Sequence, residues 1–546
     1  MGVYIIFLYW YNKSMKKHII IFTTILIISL MTLSGFSANA AVVNKYGTTV
    51  DKHPDNETSQ NKQTQQTDSD GDNLPTRYSS RDLGYTSTVK SQVGLRCWAY
   101  SSLSTYETLL LKDNLFYGDL NVDTLDVWGS VRDNGIGWQR EILNGGYTSI
   151  ATGFFTSWAG PDTEEDPVPR YGTTSVRLYN KNERDAVKRA IMRTGSVTAN
   201  YNDNRLGKSE DSCSFYLPEK ATTSISGHSI SIIGWDDEYS KENFDGYSMP
   251  ENDGAWFCKN SWGDYNSLGG YFWISYEDFF LLNGDYFDEG FSIEGYQQIN
   301  DNDHLYQNEE YGATYEFMQE SAKKQTFFNV FDFSTYGNTL DKVVFETLSA
   351  GADYNIYYVP LDSEGKPIQN RSKWMKLSEG TADHRGYICA DFEDVMVASK
   401  KAAIAVEIDT TNTGAQCSLG VCEWLRSEES QEMIFLNESN YGESFIEYGG
   451  QLEDLKDYYL YKLDDDIGAT FVIKAITNKK TQTDIKGDVN IDEKIDINDV
   501  TFIQLHLVNK IPDIADYQRE NADFNSDGVV NINDATAIQI RLATGH

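Results

Sequence analysis

Apolar and polar positions follow different rhythms in successive parts of this chain. From Cys97 to Leu111, Trp98, Leu103, Tyr106, Leu109 and Leu110 form the stripe of a largely buried helix. Ser229–Ile233 and Tyr271–Ser275 are short apolar runs that read as strands. That mixture, from Leu74 to about residue 300, predicts an α+β domain. Between residues 310 and 476 the pattern changes. Phe327–Phe333, Val343–Glu346, Tyr354–Val359, Ala403–Ile408 and Thr470–Ile476 are separated by Gly, Asn and Asp. Short strands at regular spacing with turn residues between them predict an antiparallel β-sandwich. Near the C-terminus two matching helical stripes, Val500–Leu507 and Ala535–Leu542, each follow an acidic loop. They predict a small all-α module.

The chain begins differently. Met15, Lys16 and Lys17 precede an apolar run from Ile19 to Leu33, and Ala38-Asn39-Ala40 supplies a small-x-small cleavage pattern. Residues 1–40 are therefore expected to be a secretory signal peptide. The alternative, a retained anchor, is disfavoured because the run is short for a membrane span. Residues 41–73, rich in Asn, Gln, Thr and Asp, read as a disordered linker, and 477–486 as a second linker. The expected organisation is signal peptide 1–40, linker 41–73, α+β domain 74–300, sandwich 310–476, linker 477–486 and C-terminal module 487–546.

Net charge narrows the choice of partners. At −36 the chain would repel nucleic acid and anionic lipid, and no later segment is apolar enough to span a membrane. A secreted location, in solution or in a cell-surface complex, is the expectation. Six cysteines in 546 residues do not make a disulfide framework. Cys417 and Cys422, five residues apart, would face opposite sides of one strand, so no bridge is drawn between them.

A thiol in an unusual setting therefore stands out. To attack a peptide bond it must ionise near neutral pH, helped by a helix N-terminus or an imidazole. Residues 74–296 hold three cysteines, Cys97, Cys213 and Cys258, and a single histidine, His228. Only Cys97 opens a buried helix. Gln92 lies upstream at a distance suited to an amide donor for an oxyanion. His228 enters an apolar strand, which would hold the ring rigidly. Asn260 follows another strand, where its amide could orient that ring while Trp262 excludes water.

These segments resemble a known family. Gln92-Val-Gly-Leu-Arg-Cys97-Trp98 is similar to the nucleophile segment of papain-family cysteine peptidases, and Gly227-His228 through Gly234-Trp235 to its histidine strand. Lys259-Asn260-Ser261-Trp262-Gly263 is similar to its asparagine segment, and Arg81-Asp82 resembles the start of the mature enzyme. The resemblance implies Cys97 as nucleophile, His228 as base and acid, Asn260 as orienter and Gln92 as oxyanion donor, with no cofactor for catalysis. Gly145 and Gly146, with Trp262, would line the peptide-binding cleft. Two departures stand out: the Gln92–Cys97 loop is one residue shorter than usual, and Arg96 occupies a position the family gives to a small residue. Arg96 could either lower the thiol pKa or crowd the cleft.

The C-terminal repeat sets oxygen donors at fixed spacing. Asp488, Asn490, Asp492, Asp496 and Asp499, with the Lys494 carbonyl, correspond to Asp523, Asn525, Asp527, Asn531 and Asp534, with the Val529 carbonyl. Such a loop can wrap one Ca²⁺, giving two ions in all. Gly528 fits the sharp sixth position and Glu493 does not, so the first site is expected to be the weaker. The paired loop-and-helix unit resembles a type I-like dockerin. That implies attachment to a cohesin domain on a scaffold protein of cellulosome type, with Ile497, Asn498, Ile532 and Asn533 at the loop positions that recognise the partner. The sandwich resembles the lectin-like domain of some bacterial surface peptidases, which implies carbohydrate as a further partner; Trp374 and Trp424 could stack on sugars or fill the core. Two functions are open: a secreted cysteine endopeptidase held on a scaffold, or a catalytically inactive papain-like component that binds or inhibits.

Overall fold

The structure is a computed structural model describing residues 74–115, 118–209, 211–221, 225–300, 303–319, 322–333, 339–396, 401–426, 433–462, 468–478, 485–490, 494–508 and 516–544. The expected signal peptide and first linker lie outside these residues. No helix among the described residues is long and apolar enough to cross a membrane.

The expected nucleophile helix spans Cys97–Lys112, and its buried face carries Trp98, Leu103, Tyr106, Leu109 and Leu110. It packs on the strand Gly227–Asp236, where Ser231 Oγ donates to the Ser101 carbonyl at 3.0 Å. That strand pairs with Val197–Asn202 on one side and Ala255–Lys259 on the other, and Tyr271–Ser275 continues the sheet. Alternating small and apolar residues let it face the helix on one side and the core of Tyr179, Ile191, Trp235 and Phe280 on the other. This is the expected α+β domain.

Residues 303–478 build the expected sandwich. One layer runs Met375–Thr381, Asp353–Val359, Lys401–Asp409, Lys324–Asp332, Ser444–Tyr448 and Gln451–Asp454. The other contains Asp303–Tyr306, Ile473–Asn478, Thr339–Thr347 and Gly386–Met396. Phe327, Phe345, Ile356, Val406 and Phe471 fill the space between. Cys417 and Cys422 end one strand and join different cores, as their spacing predicts, and all six cysteines are thiols. Trp374 is buried, its indole N–H donating to the Ile368 carbonyl at 2.6 Å, so it is a core residue and not a sugar platform.

The second layer does not end at the sandwich. Gly386 pairs with Arg177 and Tyr387 with Val176, so its strands continue into the α+β domain as one sheet. Gly137–Trp138 likewise pairs with Phe435 and Leu436 across the two. One core holds Trp98, Phe154 and Phe155 together with Val344, Tyr387, Cys422 and Phe435. This shared core keeps from water apolar surface that either part alone would expose, at roughly 25 cal/mol per Å².

In the C-terminal module helices span Ile497–Leu507 and Ile532–Thr544, and a further helix, Asp516–Ala522, lies between them in sequence. The outer two pack through Val500, Ile503, Ala535 and Ile538. Both start three residues before the apolar stripe predicts. Asp496 caps the first by accepting from the Asn498 N–H at 2.7 Å and pairs reciprocally with Asp499 in a capping box. Ile497, Asn498, Ile532 and Asn533 thus sit in first helical turns and not in loops.

Candidate active site

Cys97 begins its helix without a side-chain cap, which leaves the first N–H groups free to meet an anion. His228 stands on the neighbouring strand with its Nε2 2.8 Å from Asn260 Oδ1, leaving Nδ1 for the thiol. Burial pushes the Cys97 thiol up, but the hydrogen bond and charge of His228, with the Ser229 and Trp98 N–H groups, bring it below its ordinary value. Burial lowers the His228 pKa, yet the bond and charge of Cys97 and the bond to Asn260 raise it above the ordinary value. The two shifts are complementary and favour a thiolate–imidazolium pair. Trp262 lies 4.6 Å from the imidazole centroid to centroid and covers it. The Asn260 amide is itself held, since Oδ1 accepts from Ser261 N at 2.7 Å and Nδ2 donates to Tyr265 at 3.2 Å.

Gln92 lines the same cleft. Ser261 Oγ donates to its Oε1 at 2.6 Å, and its Nε2 donates to the Gly94 carbonyl at 3.0 Å. A primary amide has two N–H groups, so one remains for an oxyanion. The short loop closes on Gly94, whose φ of +72° and proximity to the Leu143 carbonyl exclude a side chain.

Arg96 does neither of the things the sequence suggests. It is buried and turned from the cleft, with Nε on the Val93 carbonyl at 2.9 Å and Nη1 on Asp123 at 2.5 Å and Asp126 at 3.6 Å. Fully buried Asp126 also accepts from Arg140 Nη2 at 2.5 Å and Leu143 N at 2.9 Å. Arg140 donates in turn to the Asn144 and Gly145 carbonyls. Arg96, Asp126 and Arg140 therefore lock the nucleophile loop to the Gly145–Gly146 segment. Gly146 lies against Trp98, where a Cβ would fall 2.6 Å from the indole. The sequence does not reveal the roles of Asp126, Arg140 and Ser261: Arg140 meets Asp126 across 14 residues and Ser261 meets Gln92 across 169.

A papain family cysteine protease model matches residues 144–280, a lectin like domain model 305–477 and a dockerin type I domain model 486–543. The solved structure of the clostridial cysteine protease Cwp84 after propeptide cleavage is 32% identical, with 74% of this chain and 99% of that one covered and a TM-score of 0.65. A structure of the cysteine protease and lectin-like domains of Cwp84, a surface layer associated protein of Clostridium difficile, matches at 32% identity and TM-score 0.65, with 74% and 89% covered. The chain belongs to the papain family of cysteine peptidases. This family member carries a lectin-like domain and a type I dockerin.

The peptidase's dockerin loops fit calcium by donor chemistry. Asp523 accepts from the Asp527 and Gly528 N–H groups, both at 2.9 Å, and Asp534 from Asn525 and Asn531. In the first loop Asp499 accepts from Val489, Asn490 and Asp496. Asp488, Asp499 and Asp534 are fully buried. Among the described residues no three Asp, Glu, His or Cys groups form a compact cluster; the loop sequences mix Asp with Asn, the oxygen donors calcium takes. Gly528 takes φ +86° at the sharp turn. Asp492 and Glu493 lie outside the described residues. Ile497 and Ile532 are 57% and 54% exposed, unpartnered apolar residues at matching positions.

Proposed function

We propose that this peptidase cleaves peptide bonds through Cys97, His228 and Asn260. The observation that carries the reading is the opposed pair of shifts, thiol down and imidazole up, on a ring held 2.8 Å from Asn260. The Cys97 thiolate attacks the scissile carbonyl, forming an S–C bond as the carbonyl oxygen takes the electron pair. The Cys97 N–H and the Gln92 amide meet that oxygen. Collapse expels the amine, which receives the His228 proton. Water then attacks the thioester while His228 takes its proton, and the acid leaves with the thiolate restored. Gly145–Gly146 would carry the substrate backbone along the cleft.

The dockerin, with one calcium in each loop, would hold the enzyme outside the cell on a cohesin-bearing scaffold of cellulosome type. The inactive-component reading draws on one observation, the bond from Gln92 Nε2 to the Gly94 carbonyl, which diverts one of its two donors. Treatment with a thiol-directed epoxide and peptide mapping separates the two. The adduct is expected on Cys97 alone, to persist in Cys213→Ala, and to accompany complete loss of hydrolysis. Hydrolysis that survives full labelling, or labelling elsewhere, removes Cys97 from the role.

A further inference from the structure

Beside the cleft lies a second cavity of about 450 Å³, bounded on one side by the peptidase domain and on the other by the lectin-like domain. Tyr147, Thr148, Asp288 and Glu289 line both spaces. They directly follow, or face, the Gly145–Gly146 segment. A peptide laid along those glycines would present a side chain to this common wall.

The wall and the cavity are acidic. Asp288 accepts through one oxygen from Ser149 N, Ser149 Oγ and Thr148 Oγ1, all neutral donors. Glu289 is already paired with Arg385 at 2.6 Å. From the lectin-like domain come Glu316 and Glu346. Glu346 is 7% exposed; the Tyr387 hydroxyl and the Ala313 N–H face its carboxylate, yet Oε2 has no hydrogen-bond partner. The nearby ammonium of Lys474 is held by Glu309 at 2.5 Å. Among the described residues no Lys or Arg lines the cavity. Burial pushes the Glu346 carboxyl up to about 7, and burial with the neighbouring Glu346 pushes Glu316 well up, so this wall holds protons near neutral pH unless a cation or a hydrogen-bond donor reaches it.

Two kinds of cation could do so. A metal ion needs several ligands converging on one point, and among the described residues no three acidic groups converge here. A long cationic side chain needs only one or two carboxylates at its tip and apolar walls along its stem. Trp138, Phe291 and Leu425 provide such walls.

We propose that this cavity is a specificity pocket for a Lys or Arg side chain of the peptide substrate, built jointly by the two domains, with Asp288 at its entrance and Glu346 at its end. The proposal rests on the reading of Cys97 as nucleophile. It makes the lectin-like domain part of the substrate site.

The test uses the full chain with calcium and a positional-scanning set of fluorogenic peptides, comparing Lys and Arg with norleucine at each position. At one position the wild type is expected to cleave the basic peptide with a kcat/KM about tenfold above its apolar counterpart. Glu346→Gln should reduce that ratio by about tenfold while the epoxide still labels Cys97. Because the ratio is taken within one preparation, partial unfolding cannot imitate the effect. Glu316→Gln serves as a second variant on the same wall. Absence of any basic preference, or a ratio that neither variant moves, overturns the proposal. So does metal analysis finding one divalent ion fewer in Glu346→Gln than in wild type, which would make the cavity a metal site. If no peptide is cleaved and the epoxide leaves Cys97 untouched, the reading of Cys97 falls and the pocket with it.

Discussion

At the residue scale the proposed chemistry turns on a single ring. His228 is fully engaged, with Asn260 on one nitrogen, the thiol on the other and Trp262 over its face. Cys97→Ala should abolish hydrolysis with the fold intact by circular dichroism, while Cys213→Ala should retain near wild-type rates. If Gln92 serves the oxyanion as proposed, Gln92→Ala should lower kcat by about 10²-fold, with KM little changed. The pH profile follows from the signs. A thiol below its ordinary value loses its proton early, so the acid limb of kcat/KM lies below pH 9.0. An imidazole above its ordinary value keeps its proton longer, so the alkaline limb lies above pH 6.5. Asn260 supports the protonated ring, and Asn260→Ala should move the alkaline limb to lower pH. An unmoved limb would reduce Asn260 to packing. Cys97, His228 and Asn260 could be picked out in the sequence because each sits at the start or end of a strongly patterned element. Arg96 could not be interpreted there. Its role depends on Asp126, and nothing local says that Asp126 faces it.

At the scale of elements, strands and helices were legible wherever one face is buried against a core. Phe327–Phe333 and Ala403–Ile408 were read within a few residues, because alternation or sustained apolarity marks them. Pairing between distant strands was not. Tyr387 opposite Val176 follows from tertiary register, and neither residue differs in composition from its neighbours. The same holds for the clamp that joins the nucleophile loop to the glycine segment. Asp126 has no exposed surface and meets two arginines, so Asp126→Ala strands their charges in a dry site. Such a change should cost about 3 kcal/mol by urea denaturation, and should raise KM as Gly145 loses its anchor. A loss within 0.5 kcal/mol would show that water replaces the carboxylate.

For the whole molecule, the continuous sheet sets what can be separated. A chain ending at residue 300 loses the strand beside Val176 and uncovers Phe154 and Phe155, which share a core with Tyr387 and Phe435. It should aggregate on expression, whereas a chain ending at residue 478 should remain folded and active. The C-terminal module is different in kind, since its small apolar core lies beside two short loops in which Asp488, Asp499 and Asp534 are fully buried. Without calcium those loops repel and the module should expand; with it the helices should order and present Ile497 and Ile532. The two halves repeat Ile-Asn at equivalent helix starts, so each could form the docking face in turn. Changing Ile497 and Asn498 alone should then weaken cohesin binding little, and changing Ile532 and Asn533 alone should do the same. Changing all four should remove binding and leave peptide hydrolysis intact. Calorimetric titration against a panel of bacterial cohesins, with and without chelator, checks each outcome. Binding that persists in chelator would sever docking from calcium, and binding lost on altering one half would assign a single face.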